Sequence, residues 1–197
     1  AKAVIQEAIC MGASGGTVLS DRKFAGADVL ATAYTLSQGI RKCGEFDLII
    51  CGKQTTDGDT AQVGAEVAEY LGLPNVSTVR AIGALEEGKL TVTAGLDDRV
   101  MELRIALPCL LSMDGDINTP RLPSYKIRKQ LTEEQVRMLS FADFADQDAG
   151  HYGLSGSATQ VERIFPPEKT GGRQTLDGDA GTQAQALLAL LRQKKFV

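Results

Sequence analysis

The chain has 197 residues, 21 basic against 25 acidic side chains, a formal charge of −4 and 43% hydrophobic residues. That length and apolar content can build one buried core, or one core plus a smaller lobe, and argue against global disorder. The acidic balance argues against a nucleic-acid binder, and no apolar run approaches the roughly 18 residues of a membrane span.

Residues 2–11 read as a helix with Val4, Ile5, Ala8 and Ile9 on one face and Gly12 as its stop. No capping residue or signal-peptide pattern precedes it. A chain that opens on Ala1 inside a helical pattern reads as a fragment whose N-terminal part is not included. A short strand at 16–19 follows, then a long helix over 27–42 whose apolar set Val29, Leu30, Ala33, Leu36 and Ile40 keeps helical spacing. The run 46–51, apolar but for Asp47 and lying between Gly44 and Gly52, has the pattern of a parallel strand covered on both faces. Residues 60–71 return to helical periodicity and end at Gly72-Leu73-Pro74. This alternation predicts an α/β fold with an open, mostly parallel, doubly wound sheet.

After Pro74 the texture changes. Segments 76–85, 89–94 and 99–107 alternate and are separated by turns at Glu86-Glu87-Gly88 and Leu96-Asp97-Asp98, which predicts antiparallel hairpins. Residues 108–113 read as one more buried strand, and a connector rich in Gly, Pro and basic residues begins at Asp114. A short helix is expected over 132–138, a polar loop over 142–157, a strand-like piece over 161–165 halted by Pro166-Pro167, and a final helix over 180–193 with Ala184, Leu187, Leu188 and Leu191 on one side. The expected division is a nucleotide-binding α/β domain over 1–139 and a C-terminal arm over 140–197 without a core of its own.

The inventory for side-chain catalysis is thin. Cys10, Cys43, Cys51 and Cys109 are scattered without a C-x-x-C pair, so they read as reduced structural thiols of a cytoplasmic protein. His151, the one histidine, sits in a glycine-rich stretch and reads as a solvated loop residue. No catalytic residue and no metal site are expected.

The chemistry-bearing stretch is 48–64. A buried strand ends at Gly52, a polar loop follows, and a helix is expected to start at Thr60. The carboxyl end of a parallel strand followed by a helix N-terminus is where open α/β sheets bind nucleotides. First-turn amides lack internal partners and carry partial positive charge, ready for a phosphate. Asp59 or Thr60 can cap that helix, while Gly58, Ala61 and Gly64 leave room for close backbone approach. Asp57 and Asp59 repel a phosphate and fit better as ribose or amide ligands or as loop-shaping acceptors. A simpler reading stays open, in which Asp57-Gly58-Asp59 is only a turn and an N-cap. The loop is neither a Walker nor a G-x-G-x-x-G motif.

These segments carry a resemblance. Residues 21–32, beginning Asp21-Arg22-Lys23-Phe24-Ala25-Gly26, are similar to a conserved stretch of the beta subunit of electron-transfer flavoproteins. Cys51-Gly52-Lys53-Gln54 with Asp57-Gly58-Asp59-Thr60-Ala61-Gln62-Val63-Gly64 resembles that family's most diagnostic signature. Leu107-Pro108-Cys109-Leu110-Leu111, Ile117-Asn118-Thr119-Pro120-Arg121 and Phe165-Pro166-Pro167-Glu168 extend the likeness over essentially the whole chain.

The resemblance implies an adenine nucleotide, FAD or AMP, held by Gly52, Gln54, Thr55, Asp57, Gly58, Asp59, Thr60, Ala61, Gln62, Val63 and Gly64. The Asp-Gly-Asp-Thr-Ala-Gln-Val-Gly form is nearer the bifurcating members, which favours FAD and brings in NADH as electron donor. It implies an alpha subunit carrying a further FAD, and electron exchange with a flavin dehydrogenase such as an acyl-CoA dehydrogenase. Arg121, Leu122, Pro123, Tyr125 and Lys126 would form the docking loop, and 140–197 the arm on the alpha subunit. Thr119 and Leu122 depart from the family's commoner residues, which bears on partner choice. The competing reading is a stand-alone ATP- or AMP-binding regulator resembling universal stress proteins, stable without a flavoprotein partner.

Overall fold

The computed structural model describes residues 1–166 and 175–197. Pro167 and Glu168, part of one motif and of the expected strand stop, lie outside the described residues. The chain divides into two compact units, Ala1–Gln160 and Val161–Val197.

In the first unit, helix α1 (Lys2–Cys10) leads to strand β1 (Gly16–Leu19) and helix α2 (Val29–Cys43). The α2 helix starts where the Asp28 carboxylate accepts from the Ala31 amide at 3.0 Å, an N-cap that satisfies an otherwise orphan donor. Strand β2 (Leu48–Gly52), helix α3 (Val63–Leu71) and strands β3 (Asn75–Glu86), β4 (Lys89–Gly95), β5 (Val100–Ala106) and β6 (Cys109–Met113) follow. The one-turn helix α4 (Tyr125–Arg128) and strand β7 (Val136–Leu139) complete the regular elements of this unit.

The five-stranded sheet has the order β2-β6-β3-β4-β5. Its first three strands are mutually parallel, and β3-β4-β5 form the antiparallel meander that the alternating segments predict. A second, two-stranded parallel sheet pairs β1 with β7. The α/β class and the largely parallel pairing therefore hold.

One core lies between α2, α3 and the sheet, around Ala33, Val67, Ala68 and Leu110. On the opposite face Cys109 and Leu111 pack with Val79, Leu90, Val92 and Ile105 of the meander. The strand buried on both faces is thus β6. Sequence places that burial on 46–51, but β2 sits at the sheet edge and Ile50 is 56% exposed. An apolar run does not distinguish an edge strand from a central one, because strand order is set by long-range pairing.

Three further expectations are corrected. Helix is expected over 132–138, yet Glu133–Gln135 makes one 3-10 turn, closed by the Thr132–Gln135 capping box, and Val136–Leu139 extends as a strand on β1. Residues 142–157 are not merely a polar loop. Phe141, Phe144 and Tyr152 are buried with Leu139 and pack against Leu19, Phe24 and Tyr34. Segment 140–160 thereby belongs to the first unit, and the sequence division at 139/140 falls inside that unit.

In the second unit, residues 161–166 carry no strand, and Val161, Ile164 and Phe165 are exposed. Helix α5 (Ala180–Gln193) has the expected bounds, capped by Asp179 on the Thr182 amide at 2.8 Å. Leu187 and Leu188 on it are exposed.

Candidate functional site

The parallel register aligns the carboxyl ends of neighbouring strands. Gly52 of β2 lies opposite Met113 of β6, and Val79 of β3 lies opposite the same Met113. The loops leaving β2 and β6 therefore rise from one edge. They enclose a cleft of about 470 Å³ lined by Gly52, Lys53, Gln54, Met113, Asp114, Gly115, Ile117 and Asn118. This is the position where ligands bind in open α/β sheets.

The loop after Gly52 is shaped by its own polar groups. The Gln54 amide donates to the Asp59 carboxylate, and the Gly58 amide donates to Asp57 Oδ1 at 2.8 Å. The Thr55 hydroxyl and the Gly58 amide hold the Asp57 carboxyl below its ordinary range. Asp59 and Ala61 both adopt left-handed backbone, with φ of 51° and 56°. These kinks delay the helix: α3 starts at Val63, not at Thr60. Neither Asp59 nor Thr60 caps it. Gln62 occupies the cap position without a side-chain cap bond. The first-turn amides are thus not taken by a capping side chain, which leaves them available to an anion.

Gly64 has a different role from the one its spacing suggests. A methyl group there would lie 2.4 Å from Ser112 Oγ and 2.8 Å from Cys51 Sγ. Gly64 lets α3 seat directly on β2 and β6, which sets where the helix start stands relative to the strand ends. Gly58 is under no such constraint, since its nearest neighbour, Thr55 Oγ1, would be at an ordinary 3.6 Å.

Of the expected nucleotide residues, Gly52 and Gln54 line the cleft, residues 55–62 form an exposed rim, and Val63 and Gly64 open α3. Sequence reading missed Asp114 and Asn118 as lining residues. The available signals were the place of Asp114 directly after a buried strand and that of Asn118 in the Ile117–Arg121 motif.

The chain matches the electron transfer flavoprotein domain over residues 1–139. It is 39% identical to the electron transfer flavoprotein subunit beta of Megasphaera elsdenii over 98% of this chain and 75% of the relative. The chain belongs to the electron transfer flavoprotein beta subunit family. The corresponding protein of Thermoanaerobacterium thermosaccharolyticum is 36% identical over the whole of this chain and 75% of its own length. The caffeyl-CoA reductase-Etf complex subunit CarD of Acetobacterium woodii is 35% identical over the same shares. Membership identifies an electron-transfer subunit and disfavours the stand-alone regulator. Among the described residues no helix is long and apolar enough to cross a membrane, and all four cysteines are free thiols.

The segment corresponding to the expected docking loop is pinned at one side and free at the other. The Ser124 amide donates to the Cys10 carbonyl at 2.8 Å, and Ile127 packs against the core of Ile9, Val18 and Val136. Leu122 and Tyr125 project outward, 89% and 71% exposed. Lys129 lies over the Tyr125 ring at 4.9 Å, and Arg121, Pro123 and Lys126 are exposed beside them.

His151 is no isolated loop residue in this beta-subunit fold. Its Nδ1 lies 2.6 Å from Asp146 Oδ2, which also accepts from the Tyr34 hydroxyl of α2 at 2.5 Å. These bonds hold the Asp146 carboxyl down at about 2, and Asp146 in turn raises the His151 pKa. A folded-state His pKa above the unfolded value stabilises the fold below about pH 6.5, and that contribution is lost as pH rises through the raised value. The Asp146 contribution is lost only on acidification toward about 2. The stability difference between the wild type and His151→Gln should therefore be largest between about pH 4 and 6 and shrink above neutrality. Thermal melts at several pH values measure it, and a pH-independent difference would deny the pair this role.

Proposed function

We propose that this chain binds an adenine nucleotide, FAD in preference to AMP, against the 52–64 loop, and transfers electrons only in a complex with an alpha subunit that carries a further FAD. The observation that supports it is the cleft that two strand-end loops form at the carboxyl edge of parallel strands, with the uncapped start of α3 packed on the ends of the same strands through Gly64. The donor set fits a nucleotide: free amides at Val63 and Gly64 suit a phosphate, and the Gln54, Thr55 and Asp57 side chains suit a ribose or base edge. A bound flavin supplies the redox chemistry, and the protein contributes binding and orientation. Cofactor content of the purified heterodimer tests this. Two FAD per dimer supports FAD in this subunit, one FAD plus AMP reverses the preference, and a single FAD with no second nucleotide rejects the site.

Ala61 supplies a sharper check. Its left-handed backbone disfavours a β-branched side chain. Ala61→Val should reshape the rim and weaken nucleotide affinity about tenfold, whereas Ala61→Gly should leave it intact. Equal affinities in equilibrium dialysis would remove this loop from the site.

In this reading the chain works in the cytoplasm, with an acyl-CoA dehydrogenase-type flavoenzyme as partner and NADH as donor in a bifurcating complex. The caffeyl-CoA reductase complex named for the Acetobacterium woodii relative supports an acyl-CoA-type partner. The docking surface is the exposed apolar tip at Leu122, Pro123 and Tyr125, rimmed by Arg121 and Lys126, an arrangement suited to an interface anchor. Leu122→Ala should slow electron transfer to the dehydrogenase several-fold in stopped-flow measurements while leaving the melting temperature unchanged. The exposed apolar residues of the 161–197 unit are what an arm on the alpha subunit would bury.

A further inference from the structure

The register that builds the cleft also aligns three charged side chains. Lys53 follows Gly52, Asp114 follows Met113, and Arg80 follows Val79, and these three preceding residues are paired across adjacent strands. Arg80 Nε lies 3.4 Å from Asp114 Oδ2. The cleft lined by Lys53 and Asp114 adjoins a second one, of about 520 Å³, lined by Arg80, Ile50 and Ile82, with Met113, Ile117 and Asn118 common to both.

Gly95 makes the Arg80 position possible. A methyl group there would come within 2.5 Å of the Arg80 Nε. Both Arg80 and Asp114 can reach the opening, with side chains 53% and 16% exposed. The Asp116 amide, then Arg80 and more distantly Lys53, hold the Asp114 carboxyl below its ordinary range, so Asp114 faces a cation on either side. The acidic groups nearby, Asp116 on the turn and Asp59 tied to Gln54, are exposed on the rim.

We propose that Lys53 and Arg80 form a diphosphate-selecting pair at the carboxyl edge of β2, β6 and β3, Arg80 exchanging Asp114 for a phosphoryl oxygen when a nucleotide with two linked phosphates binds. Guanidinium and ammonium groups pair with phosphate oxygens by charge-assisted bonds. One helix start serves a monophosphate. Two further cations, at strands two spacings apart with β6 between them, suit a second phosphoryl group, and the adjoining apolar cleft suits what that group carries. The inference rests on the nucleotide reading of the 52–64 loop and names the ligand class for it.

Isothermal titration of the full chain with pyrophosphate, ADP, AMP and adenosine tests it. The wild type should bind ADP more tightly than AMP. Arg80→Gln and Lys53→Gln should each weaken ADP and pyrophosphate about tenfold and leave adenosine unchanged. Gly95→Ala, which displaces Arg80, should act in the same direction. ADP and pyrophosphate affinities unaltered in both charge variants would overturn the proposal, as would a wild type that does not bind pyrophosphate. Pyrophosphate binding that depends on Arg80 and Lys53, with no binding of adenosine or AMP, would uphold the pair and reject the nucleotide reading instead.

Discussion

Gly64→Val should destabilise the first unit by about 2 kcal/mol, because the added atoms enter a contact already filled by Ser112 Oγ and Cys51 Sγ. Ser112 is buried and its hydroxyl lies 3.4 Å from Cys51 Sγ, so neither side chain can retreat freely. Gly64→Ala should cost less, since alanine's better helix propensity returns about 1 kcal/mol. The decisive comparison is the pair Gly64→Ala and Ser112→Ala. Removing the hydroxyl opens space for the methyl group, so the double variant should be more stable than the sum of the singles by at least about 0.5 kcal/mol. Urea titrations of all four proteins give the cycle. Strict additivity would mean that α3 does not seat on Ser112. If the cleft holds a nucleotide, Gly64→Val should also weaken its binding, because lifting α3 moves the first-turn amides.

Tyr152→Ala should cost about 3–5 kcal/mol, the range for emptying a large aromatic site in a core. Tyr152 is 1% exposed and its ring lies 5.1 Å from Phe141, 5.4 Å from Tyr34 and 5.8 Å from Phe24. Its hydroxyl donates to the Asp146 carbonyl at 2.9 Å, and burial raises its pKa to about 12. Tyr152→Phe keeps the ring and should cost only about 1 kcal/mol. Limited proteolysis should find 153–160 protected in the wild type and cut early in Tyr152→Ala. A melting temperature unmoved by Tyr152→Ala would show that 140–160 adds nothing to the first unit and belongs with the arm after all.

Sequence alone determined the features written in adjacent residues. The apolar stripe of α2, the Asp28 and Asp179 caps, the tight turn between β3 and β4 and the bounds of α5 depend on side chains within a turn or two of each other. The family motifs are likewise linear. Tertiary structure decided which apolar run becomes the centre of the sheet, because β6 gains both faces only through pairing with β2 and β3. Residues 136–139 became strand rather than helix because β1 offers a parallel edge more than a hundred residues earlier. Within the site, the loop composition was legible and the start of α3 was not: left-handed Asp59 and Ala61, with Gln54 bound to Asp59, moved it to Val63. Charge shows the contrast most fully. The count of 21 basic against 25 acidic residues describes a mildly acidic chain. That Lys53 and Arg80 flank Asp114 at one sheet edge follows only from strand register, which brings together side chains that no local pattern relates.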